Sequence, residues 1–182
     1  MRENTTEQVK LFLGLIGFGL LSRFLPHPPN STALGAIALL AGSHFGMRWL
    51  GFLAPLVVLV LSDLIIGFHN SMIYVYASVA LSVALGHWCL KRWSWRKLIG
   101  TSFLSSFSFF LITNLGVWFS SGLYPVNTEG LLRCFVMAIP FFQTQLFGDL
   151  MFAGIVFGIY QLAQRVSILK RRSSSAFPGR HI

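Results

Sequence analysis

Asp63, Asn114 and Asp149 stand inside long apolar stretches of this 182-residue chain. A bilayer interior admits such side chains only with a partner or a purpose, so ionisable residues there mark functional sites by default. At 1.5 Å per residue, Asp63 falls about 7 Å from the end of its stretch, and Asn114 and Asp149 about 8–10 Å from the corresponding ends of theirs. Three polar side chains in one layer of three helices face one another or a shared pocket. The chemistry this allows is hydrogen-bonded and electrostatic capture of a small solute. Equally, it allows an internal ion pair, with Arg23 the available cation for Asp63 or Asp149.

A second group of polar residues belongs to the turns at the same end. His27 sits in Pro26-His27-Pro28-Pro29, a stiff non-helical turn that holds an imidazole at the mouth of a pocket, where it suits ligand binding or metal coordination. Asn30 follows it. His69, in Gly67-Phe68-His69-Asn70, lies in the neighbouring turn, with Tyr76 just beyond. Tyr124, Asn127 and Glu129 fall in the longest connection. No Walker A sequence, His-Glu-x-x-His, Gly-x-Ser-x-Gly or paired-cysteine zinc motif occurs, so the expectation is a non-enzyme without nucleotide hydrolysis of its own.

The elements that must position these groups are transmembrane helices. The chain is 54% hydrophobic and 10% charged, with a mean hydropathy of +0.69. That composition places it in a membrane rather than among soluble domains. Six spans are expected: Gln8–Leu25, Thr32–Met47, Trp49–Phe68, Ser71–Leu90, Leu98–Phe119 and Phe142–Ala163, forming a single all-α domain over 1–169. The second is short and rich in small residues. Between the fifth and sixth, Ser120–Phe141 reads as a turn followed by a short helix, Leu131–Ile139, that stops before Pro140 and lies over or dips into the bundle. The basic, serine-rich tail 170–182 is expected to be disordered. The first stretch runs into a proline-rich turn rather than a small-residue cleavage site, so it is expected to stay as a span.

Charge gives the orientation. With the N-terminus cytosolic, twelve of the fourteen Lys and Arg fall in inner segments, and only Arg23 and Arg133 lie outside. This follows the positive-inside rule and puts both termini in the cytosol and the polar layer at the outer face. The net charge of +9 is explained by topology and lipid headgroups, and nucleic acid is not expected as a partner. Cys89 and Cys134 fall near opposite faces and cannot pair. Ala38, Gly42 and Gly46 in the second span, and Gly14, Gly17, Gly19 and Ser22 in the first, are small-residue faces suited to helix packing or to docking another membrane subunit.

Ser22-Arg23-Phe24-Leu25-Pro26-His27-Pro28-Pro29-Asn30, Ser62-Asp63-Leu64-Ile65-Ile66-Gly67-Phe68-His69, Thr113-Asn114-Leu115-Gly116-Val117-Trp118, Tyr124-Pro125 and Gly148-Asp149-Leu150 together resemble the signature of a family of small bacterial membrane proteins without assigned function. That family is in turn similar to the S components of energy-coupling-factor (ECF) vitamin transporters. The resemblance implies a six-helix protein of the bacterial inner membrane that captures a micronutrient at its outer face and works with an energising module. In the solitary cobalamin branch, a histidine of the first outer loop and a cysteine near the pocket serve as axial cobalt ligands. His27 matches the first by position. Cys134 is the one cysteine on the outer side, and no thiol stands near Tyr76 and Ala77. The expectation is therefore a substrate-binding transport protein with no intrinsic cofactor, and cobalamin a candidate cargo. Its expected binding residues are His27, Asn30, Asp63, His69, Tyr76, Asn114, Tyr124, Asn127 and Asp149. The alternative is a structural or assembly subunit, whose polar layer is closed by ion pairs with no cavity beneath Tyr124.

Overall fold

Helix α1 runs Thr5–Phe24, α2 Leu34–Phe45, α3 Trp49–Ile66, α4 Met72–Cys89, α5 Trp95–Ser120 and α6 Thr128–Ala176. This computed structural model describes residues 5–176 apart from Pro29, His69 and Trp93, with side chains described as far as Leu169. Among the described residues there is no β-strand, and α3, α4, α5 and α6 are each long and apolar enough to cross a membrane. Large apolar side chains such as Ile65, Ile73, Phe119, Phe147 and Leu162 stand exposed on their outer surfaces, as helices facing lipid require.

Helix α2, only 12 residues long, is the hub. Nine of its residues are buried, and it touches every other helix. A 12-residue apolar helix is the length of a core element rather than a span. It supplies Ile37, Leu40 and Phe45 to a cluster with Leu15 of α1 and Phe157 of α6. From its other side it gives Leu34 and Ala38 to a cluster with Val58, Leu59, Val79 and Val83 of α3 and α4.

Small residues set its distance from α4. A Cβ on Gly42 would run into the backbone carbonyl of Val83, and one on Gly86 into that of Leu39. The small-residue face of α2 is thus spent inside the protein on α4 and is not open to a partner. On α1, Gly19 packs against Val58 and Ile37, whereas Gly14 and Gly17 meet nothing within 4 Å.

The chain differs from expectation in its last third. Leu131–Ile139 is not a separate short helix ending before Pro140; it forms the first turns of α6, which passes through Pro140 without a break. Proline removes one N–H, but ending the helix in apolar surroundings would strand several backbone groups, so continuity costs less. At the other end α6 carries on to Ala176, into the segment 170–182 expected to be disordered. Lys170-Arg171-Arg172 are good helix formers added to an existing helix, and propagation is cheap once nucleation is done. Residues 177–182 lie outside the described residues.

Asn127 starts α6. Its Oδ1 accepts from the Gly130 amide at 2.8 Å, the geometry of a helix N-cap. Replacing it by alanine is expected to cost about 0.5–2 kcal/mol of stability, measurable by unfolding in mixed micelles, without changing ligand binding.

Candidate functional site

The ends of α1 and α3 and the beginnings of α2, α4 and α6 meet around the second half of α5. Between them lies a cavity of about 350 Å³. Arg23 from the end of α1, His27, Asn30 and Thr32 from the following turn, and Leu34 and Gly35 from the start of α2 form one side. Val75, Val79 and Ser82 of α4 and Ser105, Thr113 and Asn114 of α5 form another. Ala138, Gln145 and Asp149 of α6 complete it, with Phe109, Phe110, Phe141 and Phe142 as aromatic walls. The volume is at the small end of the 300–1,000 Å³ usual for small-molecule sites.

The turn after α1 is held by specific bonds. The Ser22 hydroxyl donates to the Gly19 carbonyl at 2.8 Å and accepts from the Ala33 amide at 3.1 Å, tying the end of α1 to the start of α2. Asn30 takes a positive φ of 59°, a conformation asparagine tolerates better than most residues. His27 is exposed at the rim, with Nδ1 placed to donate to the Pro28 carbonyl at 2.9 Å.

Asp63 does not line the cavity but stands behind it. Its Oδ1 accepts from Arg23 Nη2 at 2.7 Å and its Oδ2 from the Tyr76 hydroxyl at 3.1 Å. The Asp63 side chain is 3% exposed and that of Arg23 16%. The pairing of Arg23 with Asp63 is the one offered by the sequence, and Tyr76 takes part as its hydrogen-bond donor rather than on the cavity wall.

Asp149 is arranged differently. Ser106 donates to its Oδ2 at 2.7 Å, and Gln145 Nε2 reaches the same oxygen at 3.5 Å while donating to the Ser106 carbonyl at 3.1 Å. Among the described residues no cation pairs with it. Gly35, the second residue of α2, gives its carboxylate room: a Cβ there would come within 2.7 Å of Oδ1. The carboxylate therefore lies against the amino end of a helix, where the backbone dipole presents partial positive charge. Asn114 uses its Nδ2 on the Phe110 carbonyl at 2.7 Å, leaving its amide oxygen without a partner among the described residues.

Of the expected site residues, the cavity gathers His27, Asn30, Asn114 and Asp149. Tyr124, Asn127 and Cys134 are not on its wall. Asn127 caps α6, and Cys134 is buried with its thiol directed to the Asn114 carbonyl at 3.5 Å. His27 is on the cavity wall and Cys134 is not, and the described residues contain no group of three or more His, Cys, Asp or Glu able to hold a metal. His69 lies outside the described residues. Ser82, Ser105, Ser106 and Gln145 were not among the residues expected at the site. Ser82 and Ser105 bridge α4 and α5 at 2.7 Å. Gln145, a large polar amide within an apolar stretch, was the signal available.

These features define an all-helical membrane protein enclosing a ligand-sized chamber with polar anchors and aromatic walls. The chain belongs to a family of unknown function, DUF6580, whose model covers residues 3–172. Comparison with curated proteins and with solved structures finds no match.

Proposed function

We propose that the protein is a membrane-embedded capture component for a small micronutrient, similar in plan to the S components of ECF transporters. In this reading all six helices belong to a bundle in the bacterial inner membrane, both termini are cytosolic, and the cavity opens outward. The observation that carries it is the 350 Å³ cavity itself, walled by residues of all six helices and the turn after α1. It lies at the end of the bundle that the distribution of Lys and Arg assigns to the outside. Its volume suits a one- or two-ring compound better than a corrinoid, and Cys134 is not on its wall, so the cargo of this reading is smaller than cobalamin.

The chain has no nucleotide-binding motif, so uptake against a gradient needs an energising partner. The open face of α1 around Gly14 and Gly17 is the surface proposed for it, since the corresponding face of α2 is already used. The closed Arg23–Asp63–Tyr76 cluster is what a purely structural subunit would show, but the adjoining cavity and unpaired Asp149 are not.

Thermal unfolding of the full-length protein in detergent, against a panel of water-soluble vitamins and their precursors, tests the proposal. A ligand at a hundredfold excess over its Kd should stabilise the protein by about 2.7 kcal/mol. Thr113→Trp, which fills the cavity, should abolish that shift. No shift from any compound, or a shift that persists in Thr113→Trp, would refute it.

A further inference from the structure

We propose that the ligand of this cavity is an organic cation, its positive charge paired with Asp149 and its flat apolar body lying against the phenylalanine walls. The inference rests on the capture reading and narrows it to a substrate class.

The charges on and behind the wall do not cancel. Arg23 and Asp63 form one pair at 2.7 Å and neutralise each other. Asp149 has only neutral donors, Ser106 and Gln145, both directed to one of its oxygens. As a carboxylate it leaves the chamber with one uncompensated negative charge. The amino end of α2 beside Gly35 offers partial positive charge but not a full counter-ion. A neutral ligand that sealed the cavity would leave a desolvated, unpaired carboxylate, and an anion would add repulsion. A cation removes the imbalance.

The walls agree with this. Phe110 and Phe142 pack with centroids 4.8 Å apart, and Phe109 and Phe141 line the same space. Aromatic faces within about 6 Å of a cation attract it through the ring quadrupole, and they also accept a planar body. Ser82 and Thr113 give their hydroxyl protons to the Ser78 and Phe109 carbonyls and Ser105 bonds Ser82, so these cavity-lining hydroxyls offer acceptor oxygens to a donor on the ligand.

Three probes of matched shape separate charge from fit: benzylammonium, benzyl alcohol and benzoate, titrated calorimetrically into the detergent-solubilised wild type and Asp149→Asn. Benzylammonium is expected to bind the wild type more tightly than the other two. Its affinity should fall about thirtyfold or more in Asp149→Asn, as loss of a desolvated charge partner implies. The wild-type comparison stands even if the variant folds poorly. Benzoate or benzyl alcohol binding as tightly as benzylammonium overturns the proposal, as does benzylammonium binding that survives in Asp149→Asn. If benzylammonium is silent while a neutral or anionic vitamin binds and is blocked by Thr113→Trp, the cation inference fails and the capture reading stands. Silence from every compound refutes both.

Discussion

Asp63→Leu should destabilise the protein by about 3–5 kcal/mol in the absence of any ligand, because it strands the Arg23 guanidinium in a nearly buried position. The Arg23 Nε is already buried without a hydrogen-bond partner, so the guanidinium depends on Asp63 for much of its compensation. Tyr76 loses its acceptor at the same time. The double variant Arg23→Leu/Asp63→Leu is expected to recover most of that loss, since replacing both members of a buried pair by apolar residues is often neutral or better. Equilibrium unfolding of the two variants in mixed micelles decides the matter. Equal destabilisation of single and double variants would mean that Asp63 acts other than by neutralising Arg23.

Gly42→Ala is expected to cost about 1–3 kcal/mol or more, the range for overpacking a close contact. The obstruction is the backbone carbonyl of Val83 on α4, which cannot rotate away as a side chain would. Reciprocally, Gly86→Ala meets the Leu39 carbonyl on α2 and should behave alike. Either change pushes α2 from α4, and with it Leu34 and Gly35 on the cavity wall, so ligand affinity should fall along with stability. Gly14→Ala and Gly17→Ala supply the contrast. Nothing stands within 4 Å of an added Cβ at either, and alanine is the better helix former by roughly 0.5–1 kcal/mol. These two variants should be neutral or slightly more stable in the isolated protein.

How far the fold could be read from sequence varied with the physical signal. Trp49–Phe68 and Ser71–Leu90 were expected where α3 covers Trp49–Ile66 and α4 Met72–Cys89. Hydropathy reports such apolar lengths directly, and Gly67 ends α3 with a φ of 108°. The start of α5 was placed at Leu98 instead of Trp95, because Trp95-Arg96-Lys97 is polar; its true marker is Ser94, whose hydroxyl accepts from the Lys97 amide. The length of α6 was illegible for a related reason: a proline and a polar first turn mimic a boundary that lipid surroundings do not enforce.

In the site, isolated polar residues such as Asn114 and Asp149 stood out against their apolar neighbours. The serines did not. Ser82 returns a hydrogen bond to the Ser78 carbonyl, and the Ser106 hydroxyl lies 2.9 Å from the Ser102 carbonyl, contacts that any membrane helix permits. Which of them faces a cavity depends on the rotation of each helix about its axis, and helices apolar on every side carry no stripe from which to read that rotation. Asn127 caps α6 and is not on the cavity wall, a placement hidden from the sequence because an asparagine at the head of a helix and one at the mouth of a pocket have the same surroundings.

The shortness and burial of α2 bear on how the protein is made. At about 1.5 Å per residue its 12 residues reach only some 18 Å, against about 30 Å of hydrocarbon. It is translated directly after α1, yet the Val83 and Gly86 backbone that receives it, and Phe157 that covers it, come roughly 40 to over 100 positions later. During synthesis, therefore, α2 lacks the length to settle stably in lipid, and until α4 and α6 follow it has only α1 and α3 to shelter it. Chains interrupted before α4 should leave this segment open to proteases and chaperones, and the topology of the whole should become fixed only when the later helices arrive.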